Sequence, residues 1–336
     1  KRINMNNFKK IGLSALAGSL VAFSANAAEI SVSGGVELTY TDTGGNKGNE
    51  VTGNSFGANS GLTFAGSGDV GFGTVSMTRA INDSNTGWGS SFQTLDMGSV
   101  GVFSFDSTGG ALVGSTANDD LLPSAYEEMW TGVSGSGVKG VGSTNVIGYR
   151  NTFGDISVSA GYTNGKGSAA LGESTNSGET GAAHGSVTDI SVTVAAMEGL
   201  TLNVGYAEDT STAKTTTSED TVSLNGQAVY SMGPVSAGYR LTEENNGGAG
   251  TTSRSIDAWS VAFNVNENFA ISYGEQDTEV EAIAATAAVT ETVKGINAAY
   301  TMGAASVRLM QSKSDDDNGV KGTDDEVTEI SLVLSF

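Results

Sequence analysis

Cysteine is absent from this 336-residue chain, so no disulfide holds it together. If the chain is exported, its stability rests on hydrogen bonding and packing. Proline occurs twice and glycine 48 times. Linkers and disordered tails carry proline freely, whereas a long hydrogen-bonded sheet excludes it from central strands and tolerates glycine where backbones bend or approach closely. Basic residues are also scarce, 16 Lys plus Arg against 37 Asp plus Glu. That balance excludes nucleic acid as a partner. Beyond residue 23 no apolar run approaches the roughly 20 residues that a membrane-spanning helix requires, and the mean hydropathy is −0.10. Such a profile does not exclude a membrane β-barrel, which alternates apolar and polar residues and so averages to an unremarkable hydropathy.

The first residues carry a different signal. Phe8-Lys9-Lys10 precedes the apolar run "IGLSALAGSLVAF", Ile11 to Phe23, and Ala25-Asn26-Ala27 follows it in the A-x-A spacing that signal peptidase reads. Residues 1–27 are therefore expected to be a secretory signal peptide. With translation starting at Met5, Lys1 to Asn4 are upstream sequence and Ala28 is the mature N-terminus. The mature chain loses four basic residues and no acidic one, which leaves 12 Lys plus Arg against 37 Asp plus Glu, a net charge near −25.

From residue 28 onward the chain alternates. In "EISVSGGVELTY", Ile30, Val32, Val36, Leu38 and Tyr40 take one face and Ser31, Ser33, Glu37 and Thr39 the other. Similar ladders run through Ile156, Val158, Ala160, Tyr162, through Leu200, Leu202, Val204, Tyr206 and through Val235, Ala237, Tyr239, Leu241. Each is about as long as the 9–11 residues a tilted strand needs to cross a bilayer. A longer period overlies these ladders. Tight connectors begin at Gly66, Met97, Phe153, Met197, Met232, Asn266 and Met302, with successive starts 31, 56, 44, 35, 34 and 36 residues apart. Between them lie polar segments of very different length, such as "TNGKGSAALGESTNSGETGAAHGS" and "SKSDDDNGVKGTDDE". Short turns alternating with long loops predict an all-β transmembrane antiparallel up-and-down β-barrel of about 16 strands, with short periplasmic turns and long external loops.

The charges test that frame, because Lys or Arg at the lipid-facing midplane costs roughly 2–4 kcal/mol. Glu37, Asp189, Arg240, Arg308 and Glu329 fall in the polar, inward phase. Asp257 and Lys294 fall in the apolar phase near the loop ends of their strands, and Arg79 shares the phase of Val75 and Met77 without resolution. Tyrosines close many ladders, as an interfacial aromatic girdle requires. The chain ends on "VTEISLVLSF", which places Ile330, Leu332, Leu334 and Phe336 outward on a closing strand beside the strand that starts at Ala28.

On "SANAAEISVSGGVELTY", the recurrent "MG" turns, one expanded loop after the fifth strand and the terminal Phe336, the chain resembles the Gram-negative general diffusion porins, most closely those of alphaproteobacteria. The resemblance spans residues 28–336. It implies a homotrimer in the outer membrane of a Gram-negative bacterium, surrounded by lipid and lipopolysaccharide. It also implies a third external loop folded into the lumen, and Phe336 as an assembly signal read by the barrel assembly machinery. The 56-residue gap independently marks that loop, residues 107–142, which carries "NDDLLPSAYEEMW". Pro123, Tyr126 and Trp130 are its apolar anchors, and Asp119, Asp120, Glu127 and Glu128 its acids. In this family such acids face a basic cluster on the wall, and the inward-phase arginines here are Arg150, Arg240 and Arg308. Passive diffusion of ions and small hydrophilic solutes, with a weak cation preference from the acid surplus, is the function expected.

Three other readings compete. His184, the sole histidine, lies near Ser186 and Asp189, but sequence proximity does not make a catalytic triad. An acidic secreted adhesin or calcium-binding solenoid would repeat at a shorter period. In "SDDDNGVKGTDD", Ser314, Asp316, Asn318, Gly319 and Asp325 only partly mimic a calcium loop, the first position lacking its carboxylate. A substrate-specific outer-membrane channel would display ladders of Arg and aromatics, which are absent. No cofactor is implied, beyond calcium or another divalent cation bridging acidic loops or lipopolysaccharide.

Overall fold

The computed structural model describes residues 29–46, 54–82, 89–108, 121–133, 145–164, 186–210, 220–245, 253–281 and 289–336. The expected leader, residues 1–27, and Asp119, Asp120 and His184 lie outside these. Sixteen strands follow one another: β1 (Glu29–Gly45), β2 (Phe56–Asp69), β3 (Thr74–Asn82), β4 (Ser90–Asp96), β5 (Val102–Thr108), β6 (Val146–Phe153), β7 (Ile156–Asn164) and β8 (Ser186–Met197). The second half comprises β9 (Leu200–Asp209), β10 (Thr221–Met232), β11 (Val235–Asn245), β12 (Arg254–Asn264), β13 (Phe269–Val280), β14 (Val289–Met302), β15 (Ala305–Asp315) and β16 (Asp324–Ser335). Each strand pairs antiparallel with its sequence neighbours, and β1 pairs with β16, so the sheet is a closed barrel.

Closure satisfies the backbone without leaving an edge, as lipid demands. The seam runs from Gly35 opposite Ser335 to Gly45 opposite Asp325. Beyond it, Gly34 N donates to the Phe336 carbonyl and Phe336 N to the Gly34 carbonyl, both at 2.9 Å. The last residue therefore belongs to the ladder. Its ring lies on the outer face: a Cβ built on Gly34 would come within 2.8 Å of both Phe336 and Leu62. Gly34 is thus covered by this chain's own side chains.

The repeated "MG" pairs have a backbone cause. Gly98, Gly233 and Gly303, each following Met, hold φ at 62°, 59° and 61°. Left-handed backbone of this kind fits tight hairpins to the twist of the strands and suits glycine, which has no Cβ to clash.

The alternation sorts side chains as the period requires. Outward residues stay uncovered although apolar, including Ile30 (62% exposed), Ile147 (57%), Val204 (57%) and Val307 (50%). A water-soluble monomer rarely carries so continuous an apolar surface. Inward positions are polar: Asn203, Asn225, Gln227, Thr242, Gln276 and Asn297 are all buried. They bond to one another around the wall, Thr242 Oγ1 donating to Asn225 Oδ1 at 3.1 Å and Asn225 Nδ2 to Asn203 Oδ1 at 3.4 Å. Among the described residues no helix is long and apolar enough to cross a membrane.

Candidate pore constriction

Residues 121–133 follow β5 and lie inside the barrel on the wall formed by β10–β16. Their backbone crosses the strands, bending at Ala125–Glu127 and turning at Met129–Gly132. Leu121 N donates to Gln227 Oε1 of β10 at 2.8 Å, and the Pro123 carbonyl accepts from Ser260 Oγ of β12 at 2.7 Å. Ala125 N donates to Ser272 Oγ of β13 at 2.9 Å, and the Glu127 carbonyl accepts from Asn297 Nδ2 of β14 at 3.0 Å. From β12 to β14 the loop thus advances one strand for every two residues.

The wall makes room for the loop with glycine. A Cβ on Gly238 of β11 would come within 2.7 Å of Pro123, one on Gly274 of β13 within 2.7 Å of Met129, and one on Gly295 of β14 within 2.5 Å of the Met129 backbone. All three sit at inward positions. Leu122 and Met129 then pack with Ala258 of β12 in an apolar cluster that Trp130 covers.

Two arginines lie beneath the aromatic anchors. Arg240 of β11 is fully buried, donates from Nη2 to Gln276 Oε1 at 2.6 Å, and places its guanidinium 4.8 Å from the Trp130 ring centre. Arg308 of β15 lies 5.0 Å from the Tyr126 ring centre. Contacts of this kind hold a cation against the negative face of the ring. The Tyr126 hydroxyl in turn donates to Glu329 Oε1 of β16 at 3.2 Å, and Thr41 Oγ1 of β1 donates to Glu329 Oε2 at 3.5 Å.

Acids dominate this end of the loop. Burial, then the nearby Glu329 carboxylate, push the Glu127 carboxyl above the usual glutamate range; Arg308 pulls it back, and Glu37 of β1 adds to the rise. Burial likewise pushes the Tyr126 hydroxyl up to about 12. Three carboxyls from the loop, β1 and β16 therefore share one neighbourhood with the Arg308 guanidinium. Such an arrangement places an excess of acid over base at this end of the loop.

A family model described as Gram-negative porin matches residues 12–335. The chain belongs to the Gram-negative porins. It is accordingly an outer-membrane channel without enzymatic chemistry. A search of curated proteins finds no match. Among solved structures, OmpT of Vibrio cholerae is similar at 13% identity, with 94% of this chain and 100% of that one covered and a TM-score of 0.65. Its trimer form is similar at 14% identity, with 92% and 100% covered and a TM-score of 0.60. An anion-selective porin from Comamonas acidovorans is similar at 14% identity, with 92% and 100% covered and a TM-score of 0.61. At these identities the likeness concerns the fold.

Of the residues expected at the constriction of this porin, the structure brings together Glu127, Glu128, Arg240 and Arg308 on or under the loop. Arg150 faces inward on β6, opposite Val102 and Ser159, away from the wall that carries the loop. Asp119 and Asp120 lie outside the described residues. The sequence places Glu37 and Glu329 on the inward face but does not mark them as part of the site. The signal that links them is closure of β1 on β16, which sets Thr41 opposite Glu329 and Glu37 opposite Val333. Of the partial calcium loop, Ser314 Oγ donates to Glu291 Oε1 at 2.8 Å and Asp316 Oδ1 accepts from Gly322 N at 2.5 Å.

Proposed function

We propose that this porin is a general diffusion channel with a weak cation preference, exported on the leader in residues 1–27 and working as a homotrimer. The observation that carries the reading is the meeting of Glu37, Glu127 and Glu329 beside Arg308 at a loop pinned to the wall. Sixteen strands enclose enough space for an aqueous lumen. Its Ser, Thr, Asn and Gln lining offers hydrogen bonds to water and to small hydrophilic solutes without a tight binding site. Ions cross hydrated, and the three carboxyls raise the local concentration of cations. Arg308 beside these acids sets a local field that orients dipolar solutes, while Arg240 is held beneath Trp130. Asp119, Asp120 and Glu128 add negative charge along the loop, and Arg150 contributes positive charge on the wall opposite. At physiological ionic strength screening acts over about 8 Å, which keeps the selectivity modest. No cofactor takes part.

The homotrimer reading draws support from the trimer form of the structurally similar OmpT. Single-channel recording in planar lipid bilayers tests the whole: insertion should give ohmic conductance steps in groups of three. Saturable block by one class of solute would instead identify a substrate-specific channel.

A further inference from the structure

The methionines are not spread evenly along the barrel. Of the chain's eight, seven follow residue 28, and four of these, Met97, Met197, Met232 and Met302, stand where a strand enters a tight periplasmic turn. Hairpin geometry asks for glycine there and not for methionine. Phe153 fills the same place ahead of Gly154, whose φ is 63°. Met197, Met232 and Met302 close β8, β10 and β14 and pair with Leu200, Val235 and Ala305 across their turns. They are 63%, 67% and 65% exposed, whereas Met97 is partly covered.

Alternation turns these three side chains outward. Behind Met232 the Ser231 and Ser236 hydroxyls bond at 2.8 Å on the inner face, and behind Met302 the Thr301 and Ser306 hydroxyls do the same. Tyr230 and Tyr300 lie two residues further up the same outward ladders, at the level where aromatic rings mark the membrane interface. Two strand residues span about 6.8 Å, which puts the thioethers on the water side of that girdle. Their surroundings agree. Exposed Glu198 follows Met197, the neighbouring turn from β12 to β13 presents exposed Asn266, Glu267 and Asn268, and a Cβ built on Gly233 or Gly303 would meet nothing within 4 Å. The other methionines of the barrel differ. Met129 lies buried under the loop, Met310 is buried on the inner face of β15, and Met77 belongs to the outward apolar band of β3 with Val75.

We propose that Met197, Met232 and Met302 form a periplasmic oxidation site, a collar of thioethers around the channel mouth that takes up oxygen from peroxides while the pore stays open. In each transfer the sulfur lone pair attacks one oxygen of hydrogen peroxide, an S–O bond forms as the O–O bond breaks, and the departing hydroxide gathers the remaining proton and leaves as water. Sulfur is oxidised by two electrons and the peroxide is reduced by two. The sulfoxide is polar, and reductases specific for each of its two epimers reverse the step. At the rim the new dipole meets water and headgroups, so the barrel loses no buried contact. The same change at Met129 would place a polar group among Leu122, Ala258 and the glycine trough, where it disturbs the loop. Burial withholds Met129 from the oxidant, and exposure offers the collar first.

The test treats the full porin in lipid vesicles with dilute hydrogen peroxide and follows each methionine by peptide mass spectrometry. Met197, Met232 and Met302 should become sulfoxides several-fold sooner than Met129 and Met310, and sooner than Met77, which hydrocarbon or a neighbouring subunit keeps from water. Single-channel conductance should be unchanged when the collar is fully oxidised, and the two methionine sulfoxide reductases together should remove the added oxygen. A Met197→Leu, Met232→Leu, Met302→Leu variant should conduct like the unmodified protein and take up several-fold less oxygen over the same exposure. Oxidation of Met77, Met129 or Met310 as fast as the collar would overturn the assignment of the site. Equal oxygen uptake by the variant would do the same, and conductance falling in step with collar oxidation would overturn the claim that the pore tolerates it.

Discussion

The wall from β2 to β6 and the wall from β9 to β16 belong to one closed sheet, yet they differ on both faces. Strands β3–β6 are 9, 7, 7 and 8 residues long, whereas β9–β16 run from 10 to 14. On the long wall the outer face is an apolar ladder closed by Tyr206, Tyr239, Trp259 and Tyr273 and crowned with acids. On its inner face the loop rests in a glycine trough. The short wall carries no tyrosine on the outer faces of β2–β5, and its band is broken by Arg79. Alternation of period two decides only which side of the sheet a residue faces. What occupies that side is decided by composition, and composition differs between the walls: a loop rests inside one, and Arg79 interrupts the apolar outer face of the other.

The contrast is broken most directly by exchanging charges between the walls. Val204→Arg should destabilise the barrel by about 2–4 kcal/mol in lipid vesicles, whereas Arg79→Leu should leave the stability of the isolated barrel unchanged or raise it. Reversible unfolding followed by tryptophan fluorescence measures both. Gly295→Val tests the inner face of the long wall. The new side chain meets the Met129 backbone, and overpacking of this kind costs about 1–3 kcal/mol, which should be relieved by lifting the loop from the wall. Single-channel conductance should then rise while the barrel keeps its sheet spectrum; an unchanged conductance would show that the loop does not narrow the pore.

The outward ladders were legible because lipid imposes them strictly. Ile330 to Phe336, the girdle tyrosines and the MG turns all lie where period two and hairpin geometry require. Arg79 stayed unresolved because a short strand with one charge in its apolar phase fits either register until its partners are known. Glu37 and Glu329 were hidden as site members for another reason. They are close only because the two ends of the sequence meet at the seam. The trough of Gly238, Gly274 and Gly295 was equally silent, since an inward glycine announces that something approaches without saying what.

A smaller effect follows from the raised Glu127 carboxyl. Folding lifts its pKa above the unfolded value, so the stabilising contribution of the protonated form is present in acid and is lost as the pH rises through the folded pKa. The loop should therefore hold at least as firmly in mild acid, while the cation preference falls once Glu127 takes up its proton above the usual glutamate range. Glu127→Gln should abolish that part of the pH dependence of the reversal potential. Smallest of all is the exposed pair of Lys313 and Asp315 at 2.8 Å, whose removal by Lys313→Ala should change stability by less than about 1 kcal/mol in the same unfolding assay.

The reversal potential across a planar bilayer under a salt gradient, measured near neutral pH on the unmodified porin and on a Glu37→Gln, Glu127→Gln, Glu329→Gln variant, bears most directly on the acid-lined constriction. The potential should carry the sign of a modest cation preference and should fall towards zero in the variant, with conductance retained. A preference for anions in the unmodified protein, or a cation preference untouched by the three substitutions, would contradict it.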